Sequence, residues 1–89
     1  MDEYRVLVSR DILRLPRPTT RYRSKILDFI DSLAVDPHQA GDYEEPDNDG
    51  RPVQIKIIGS FALTFWADHA VKEVKVTRIE RADSSRGLD

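Results

Sequence analysis

The stretch from residue 51 to residue 81 constrains the fold most, because it is typical of three consecutive strands whose connections are too short to hold other elements. Residues 52–58 alternate between apolar and polar side chains, which is the pattern of a half-buried β-strand. Gly59-Ser60 then fits a two-residue hairpin turn of type II′, whose first position takes a positive φ. We therefore expect the run 61–68 to lie antiparallel beside the first strand.

The run 61–68 is almost uncharged on both of its alternating faces, which indicates a central strand. His69-Ala70 predicts the next tight reversal. The run 71–79 alternates irregularly and carries several charges, so we expect an outer strand with one face in water.

The N-terminal part of the chain predicts one more strand and two helical segments. Residues 4–8 are rich in β-branched and apolar side chains, and residues 11–15 predict a short helical turn that Pro16 stops. Residues 20–34 predict an amphipathic helix that ends before Pro37. Its apolar stripe consists of Tyr22, Ile26, Phe29, Ile30 and Leu33.

Charge is segregated along the sequence. Residues 36–50 contain six acidic residues and no basic one, whereas the segments on either side each carry a net charge of +2. The total is −2 with a sequence pI of about 5.6, so bulk electrostatics does not indicate a nucleic-acid-binding protein. Residues 37–50 lack apolar periodicity and predict an exposed loop, whose acids are either solvated or in contact with a basic partner.

Composition excludes several classes of site and location. The chain has no cysteine, and its two histidines are far apart in sequence, so we expect no disulfide, no metal and no cofactor. It lacks the pattern of a signal peptide and any apolar run of about 20 residues, so we expect a cytoplasmic protein without a membrane span. Residues 1–83 predict one small domain, and residues 84–89 a flexible tail.

The order of elements predicts an α+β fold, β-α-α-β-β-β, with an antiparallel four-strand sheet and the helices packed on one face. The core between helix and sheet should contain apolar residues of both. These are Phe29, Ile30, Leu33, Ile55, Phe61, Leu63 and Phe65.

Short segments of the sequence also resemble those of a known family. The segments Ile30-Asp-Ser-Leu-Ala-Val-Asp-Pro37 and Ile55-Lys-Ile-Ile-Gly-Ser-Phe-Ala-Leu-Thr-Phe65, with Gly41 and Gly50-Arg51 between them, resemble the RelE/ParE toxin superfamily. In that family a helix ends in a similar Leu-x-x-Asp/Asn-Pro and a Gly-(Asp/Ser)-Tyr-Arg run forms the central hairpin. The resemblance covers about residues 4–81 and implies a toxin of a type II toxin–antitoxin system, with an antitoxin as partner.

The resemblance also implies candidate catalytic residues. Toxins of the RelE kind cut messenger RNA on the ribosome, where basic side chains of the sheet stabilise the scissile phosphate. The family's paired basic positions fall on Gln54 and Lys56, and its hairpin arginine falls on Ala62, so two of these three cations are missing. A final arginine is matched by Arg81, or by Arg78 if the register slips.

Three more residues are binding or proton-transfer candidates. Arg51 would contact phosphate or neutralise nearby acids, and Trp66 would stack on a base or pack in the core under a helix. His69 would carry a proton or be a solvated turn residue. Lys56 and Arg81 would either contact the phosphate or be solvated side chains without a catalytic role.

Three functions therefore stay open. The first is a toxin that acts as a ribosome-dependent messenger-RNA endonuclease with a weakened catalytic set. The others are a catalytically inactive RelE-fold binding module and a gyrase inhibitor of the ParE type.

Overall fold

The computed structural model describes residues 3–9 and 20–81. The predicted helical turn at residues 11–15 and the predicted tail at residues 84–89 lie outside these ranges. The elements are β1 (Arg5–Val8), α1 (Thr20–Val35), β2 (Tyr43–Pro46), β3 (Pro52–Ile58), β4 (Phe61–Asp68) and β5 (Glu73–Arg81).

The strands form one sheet in the order β1-β5-β4-β3-β2, with β4 in the centre as predicted. The strands β2 to β5 pair antiparallel, but β1 pairs parallel with β5. The predicted four-strand antiparallel sheet was therefore wrong, because the sheet has five strands and is mixed. The described residues contain one helix, α1, and the other predicted helical segment lies outside them. The direction of β1 depends on a partner more than 60 residues away, which local patterns do not reveal.

The additional strand, β2, comes from the segment predicted to be an exposed loop. Its backbone approaches β3 closely, since Asp42 N–H donates to Ile55 O at 2.7 Å. A Cβ on Gly41 would lie 2.5 Å from the same carbonyl oxygen, so glycine is needed there. Because the segment is rich in acidic residues, its four-residue strand was not predicted. Acidic residues and a terminal Pro46 nevertheless suit a sheet edge, since they discourage further strand pairing.

The first hairpin turn is confirmed. Gly59 has a φ of 59° and lies between Ile58 and Phe61, which are cross-strand partners. The second turn is longer than predicted, because it spans residues 69–72 and includes Lys72 at a φ of 56°. As a result β5 begins two residues later than the predicted strand and extends two residues further.

The helix packs on one face of the sheet, called here the α1 face. Leu33, Leu63 and Val74 are fully buried there, and the rings of Phe29 and Phe65 meet edge to face at 5.3 Å. Of the seven predicted core residues, the six other than Ile55 pack on this face.

Ile55 was assigned to the wrong face. The alternating apolar residues of β3 point to the opposite side of the sheet, called here the second face, where Val53, Ile55 and Ala62 form a separate buried cluster. Alternation shows which residues share a face but not which face a helix covers. The neighbouring β4 could not decide the matter, because both of its faces are largely apolar.

Candidate functional site

A strip of polar side chains lies on the α1 face along the β2–β3 edge. Gln54 and Lys56 are the cross-strand partners of Phe65 and Leu63 and therefore share the helix side of the sheet. The Lys56 Nζ lies 3.7 Å from Asp42 Oδ1, and Gln54 Nε2 donates to Glu44 Oε1 at 2.8 Å. These residues are the polar strip: Asp42, Glu44, Gln54 and Lys56.

Every group of the polar strip has a partner within the chain. Gln54 Oε1 accepts the Gly41 N–H at 2.9 Å, and the second oxygen of Asp42 accepts the Ile57 N–H at 2.7 Å. The Lys56 ammonium is also 5.8 Å from the centre of the Phe29 ring. The predicted catalytic Lys56 is thus partly exposed and paired with a carboxylate.

Trp66 lies on the second face, between two cations. The Arg51 guanidinium is 4.1 Å and the Lys75 ammonium 4.8 Å from the ring centre, distances typical of cation–π contacts. Arg51 also lies 3.6 Å from an Asp47 carboxylate oxygen, and Lys75 3.3 Å from one of Asp68. Trp66 packs against the buried cluster of the second face, whereas α1 covers the other face, so α1 is not the helix over Trp66. We call Trp66, Arg51 and Lys75 the tryptophan stack.

The two C-terminal arginine candidates lie on different faces. Arg78 is the cross-strand partner of Thr64, on the second face, and lies 4.0 Å from Glu80. Arg81 is the partner of Phe61, on the α1 face, with its guanidinium 5.9 Å from that ring. The register shifts between Thr64 and Phe65, which explains the irregular alternation of β5.

The structure does not bring all the candidate residues together. Lys56 and Arg81 share the α1 face, but β4 separates their strands, so their backbones are about 10 Å apart or more. Ala62, which the sequence resemblance matches to the family's hairpin arginine, pairs with Ile57 and lies on the second face.

Two clefts open beside the tryptophan stack. Arg51 and Trp66 line both of them. The first cleft has a volume of about 430 Å³ and includes Gln54, and the second has a volume of about 370 Å³ and includes Arg78. Lys56 and Arg81 line neither of these two clefts.

Sequence reasoning missed a cluster of three rings, two of which, His38 and His69, line the first cleft. His38 and His69 stack with ring centres 4.7 Å apart and an angle of 15° between their planes. Tyr4 hydrogen-bonds through its hydroxyl to His69 Nδ1 at 2.7 Å. His69 is exposed, as expected of a turn residue, but its partners are 31 and 65 residues away, a distance over which the sequence carries no signal.

Within residues 3–9 and 20–81, no group of three or more His, Cys, Asp or Glu side chains is arranged to hold a metal ion. In the same ranges no helix has both the length and the apolar character needed to span a bilayer.

Comparison with known proteins identifies the fold. No protein-family model matches the sequence, and no curated protein matches it either. The structure is similar to a chain of the archaeal RelE-RelB complex from Pyrococcus horikoshii OT3, with a TM-score of 0.70 and 15% identity over 91% of this chain and 97% of that one. It is also similar to a chain of the toxin-antitoxin complex RelBE2 from Mycobacterium tuberculosis, with a TM-score of 0.61 and 19% identity over 90% and 99% of the two chains. The protein therefore has a RelE-like fold.

Proposed function

We propose that this protein, with its RelE-like fold, is the toxin component of a type II toxin–antitoxin pair and acts in the cytoplasm. The observation that carries the proposal is the extent of the structural likeness, which spans 91% of this chain and 97% of the chain from the RelE-RelB complex. The whole fold, and not one common substructure, is shared.

An antitoxin partner is consistent with the surface of the described residues. The edge strand β1 exposes Leu7 and Val8 to 42% and 40%, and α1 exposes Leu27 to 49%. Exposed apolar side chains, two of them here on an edge strand, are suited to binding a segment of another protein.

Co-expression with the product of the adjacent reading frame tests the partner. We expect the two proteins to purify as one complex and the partner to raise the melting temperature, since a ligand specific to the folded state stabilises it. A chain that purifies alone and monodisperse in the presence of every neighbouring gene product would refute the proposal.

For the activity, we propose weak cleavage of ribosome-bound messenger RNA. Removing one preorganised donor from a comparable electrostatic site costs roughly 2.7–4 kcal/mol in the barrier. Gln54 and Ala62 replace two cations of the family pattern, and the remaining Lys56 is paired with Asp42. We therefore expect cleavage several decades slower than that of a toxin with the complete set.

Expression without the partner, followed by mapping of cleaved ribosome-bound message, measures this activity. Lys56→Ala and Arg81→Ala should abolish any residual cleavage, whereas Lys25→Ala, an exposed cation on α1, is the matched control and should leave it unchanged. Strong cleavage that is indifferent to Lys56→Ala and Arg81→Ala would show that other residues carry the chemistry.

One observation favours a second candidate, a RelE-fold binding module without catalysis. Three of the candidate cations, Arg51, Lys56 and Arg78, each have a carboxylate of the chain within 4.0 Å. Cations that are paired in this way present less positive potential to a phosphate. A stable antitoxin complex together with no detectable RNA cleavage and no effect on gyrase supercoiling would support this candidate over both the nuclease and the ParE-type alternative.

A further inference from the structure

We infer that Asp42 blocks an anion site on β3 formed by the Lys56 ammonium and the Ile57 N–H, and that the ligand it keeps out is a phosphodiester of single-stranded RNA. This inference rests on the proposed role of Lys56 as a phosphate contact. It adds an intramolecular competitor that limits that contact.

The geometry is that of an occupied anion site. One Asp42 oxygen accepts the Ile57 N–H at 2.7 Å, and the other lies 3.7 Å from the Lys56 Nζ. Two donors thus face the two oxygens of a single carboxylate. Two oxygens of a phosphate group can accept from two donors in the same way, so the carboxylate occupies the place that a phosphate would take.

The backbone holds the carboxylate in this position. The Asp42 N–H donates to Ile55 O at 2.7 Å, and the preceding Gly41 donates to Gln54 Oε1 at 2.9 Å. Because these bonds fix the backbone on both sides of the Asp42 peptide, the side chain loses little freedom when it binds Lys56. A phosphodiester arriving from solution must displace a counterion that is already ordered.

The site is accessible, and we expect its ion pair to contribute little to folding. The Lys56 and Asp42 side chains are 35% and 46% exposed, so an external anion can reach them. Exposed ion pairs contribute little to stability. Neutralising Asp42 should therefore release the site without unfolding the protein.

The variant Asp42→Asn tests the inference, because the asparagine carbonyl oxygen can still accept the Ile57 N–H while the charge facing Lys56 is lost. Binding of a labelled single-stranded RNA of about twelve nucleotides is measured by fluorescence anisotropy at several salt concentrations. We expect about 5-fold or more tighter binding, and a slope of log K against log salt steeper by about 0.7, the change for one additional phosphate contact on a single strand.

Two comparisons make the test specific. Asp36→Asn changes the net charge by the same amount at the end of α1, where the described bonds of Asp36 are made by its backbone, and should change affinity less than 2-fold. Adding Lys56→Ala to Asp42→Asn should return both affinity and slope to those of the unmodified protein. Equal gains from Asp36→Asn and Asp42→Asn, or a gain that survives Lys56→Ala, would overturn the inference.

Failure of this inference is distinguishable from failure of the proposed function. If Asp42→Asn folds, forms the antitoxin complex and gains no RNA affinity, the masked site is refuted and the toxin assignment stands. If it gains RNA affinity through Lys56 but no antitoxin complex exists, the site is supported and the toxin assignment fails.

Discussion

The two faces of the sheet are built differently. On the α1 face, large aromatic and aliphatic side chains of β4 and β5 pack under the helix, and Leu33, Leu63 and Val74 are fully buried. On the second face, a smaller cluster around Ile55 and Ala62 adjoins the charged tryptophan stack. The α1 face therefore supplies most of the hydrophobic stabilisation, and the second face combines modest burial with exposed polar chemistry.

The comparison also bears on activity. The cations grouped by the family resemblance are divided between the faces, with Lys56 and Arg81 on one and Arg78 on the other. A phosphate that approaches one face of the sheet can contact only the candidate cations on that face. A site on the α1 face would be formed along the polar strip, beside the helix, and not on the second face.

The largest expected effect comes from Phe65→Ala, on the α1 face. Phe65 is 2% exposed and packs against the Phe29 ring, so the substitution should cost about 3–5 kcal/mol. That is a large share of the stability of a small domain. Circular dichroism during urea and thermal unfolding measures the loss.

The matched substitution on the second face is Trp66→Ala, which removes a half-buried ring from the adjacent position of the same strand. We expect it to cost less than Phe65→Ala. Equal or greater destabilisation by Trp66→Ala would reverse the ranking of the two faces.

A second test concerns how closely α1 packs over the first hairpin. An alanine Cβ at Gly59 would collide with the Tyr22 ring in addition to adopting a φ of 59°. Gly50 has a φ of 82°, but a Cβ at that position would have no other atom within 4 Å, so Gly50→Ala reports backbone strain alone. Strain of this kind costs on the order of 1–3 kcal/mol.

We expect Gly59→Ala to lower the free energy of unfolding by more than Gly50→Ala. When Tyr22→Ala removes the ring, the cost of Gly59→Ala should fall toward that of Gly50→Ala. If the two glycine substitutions are equally destabilising, the helix does not press on the hairpin.

Sequence patterns predicted those parts of the fold that depend on neighbours in the chain. The bounds of β3 and β4 and the Gly59-Ser60 turn follow from alternation and from one residue that tolerates positive φ. Helix α1 begins at the predicted Thr20 and ends one residue past the predicted end. Features set by distant partners were missed, among them the parallel pairing of β1 and the face of Ile55.

For the candidate site, the sequence predicted individual residues but not the contacts between them. The sequence identified Lys56, Arg51 and Trp66 as candidates, but not that Asp42 would reach Lys56 or that Arg51 would stack on Trp66. The Asp42–Lys56 contact depends on the segment at β2, which its acidic composition led us to predict as a loop.

The smallest expected effect belongs to the tryptophan stack. Arg51→Ala removes the guanidinium from the Trp66 ring together with its ion pair to Asp47, and at this partly exposed site the loss should be about 0.5–1 kcal/mol. Trp66 is the only tryptophan of the chain, so its fluorescence reports the stack directly. We expect a red-shifted emission in Arg51→Ala because water replaces the guanidinium over the ring.

Arg78→Ala is the control, since Arg78 lies on the same face and lines a cleft with Trp66 but is paired with Glu80. It should leave the emission unchanged. If Arg78→Ala shifts the emission as much as Arg51→Ala does, the signal reflects the general charge of the second face, and the stack makes no specific contribution to it.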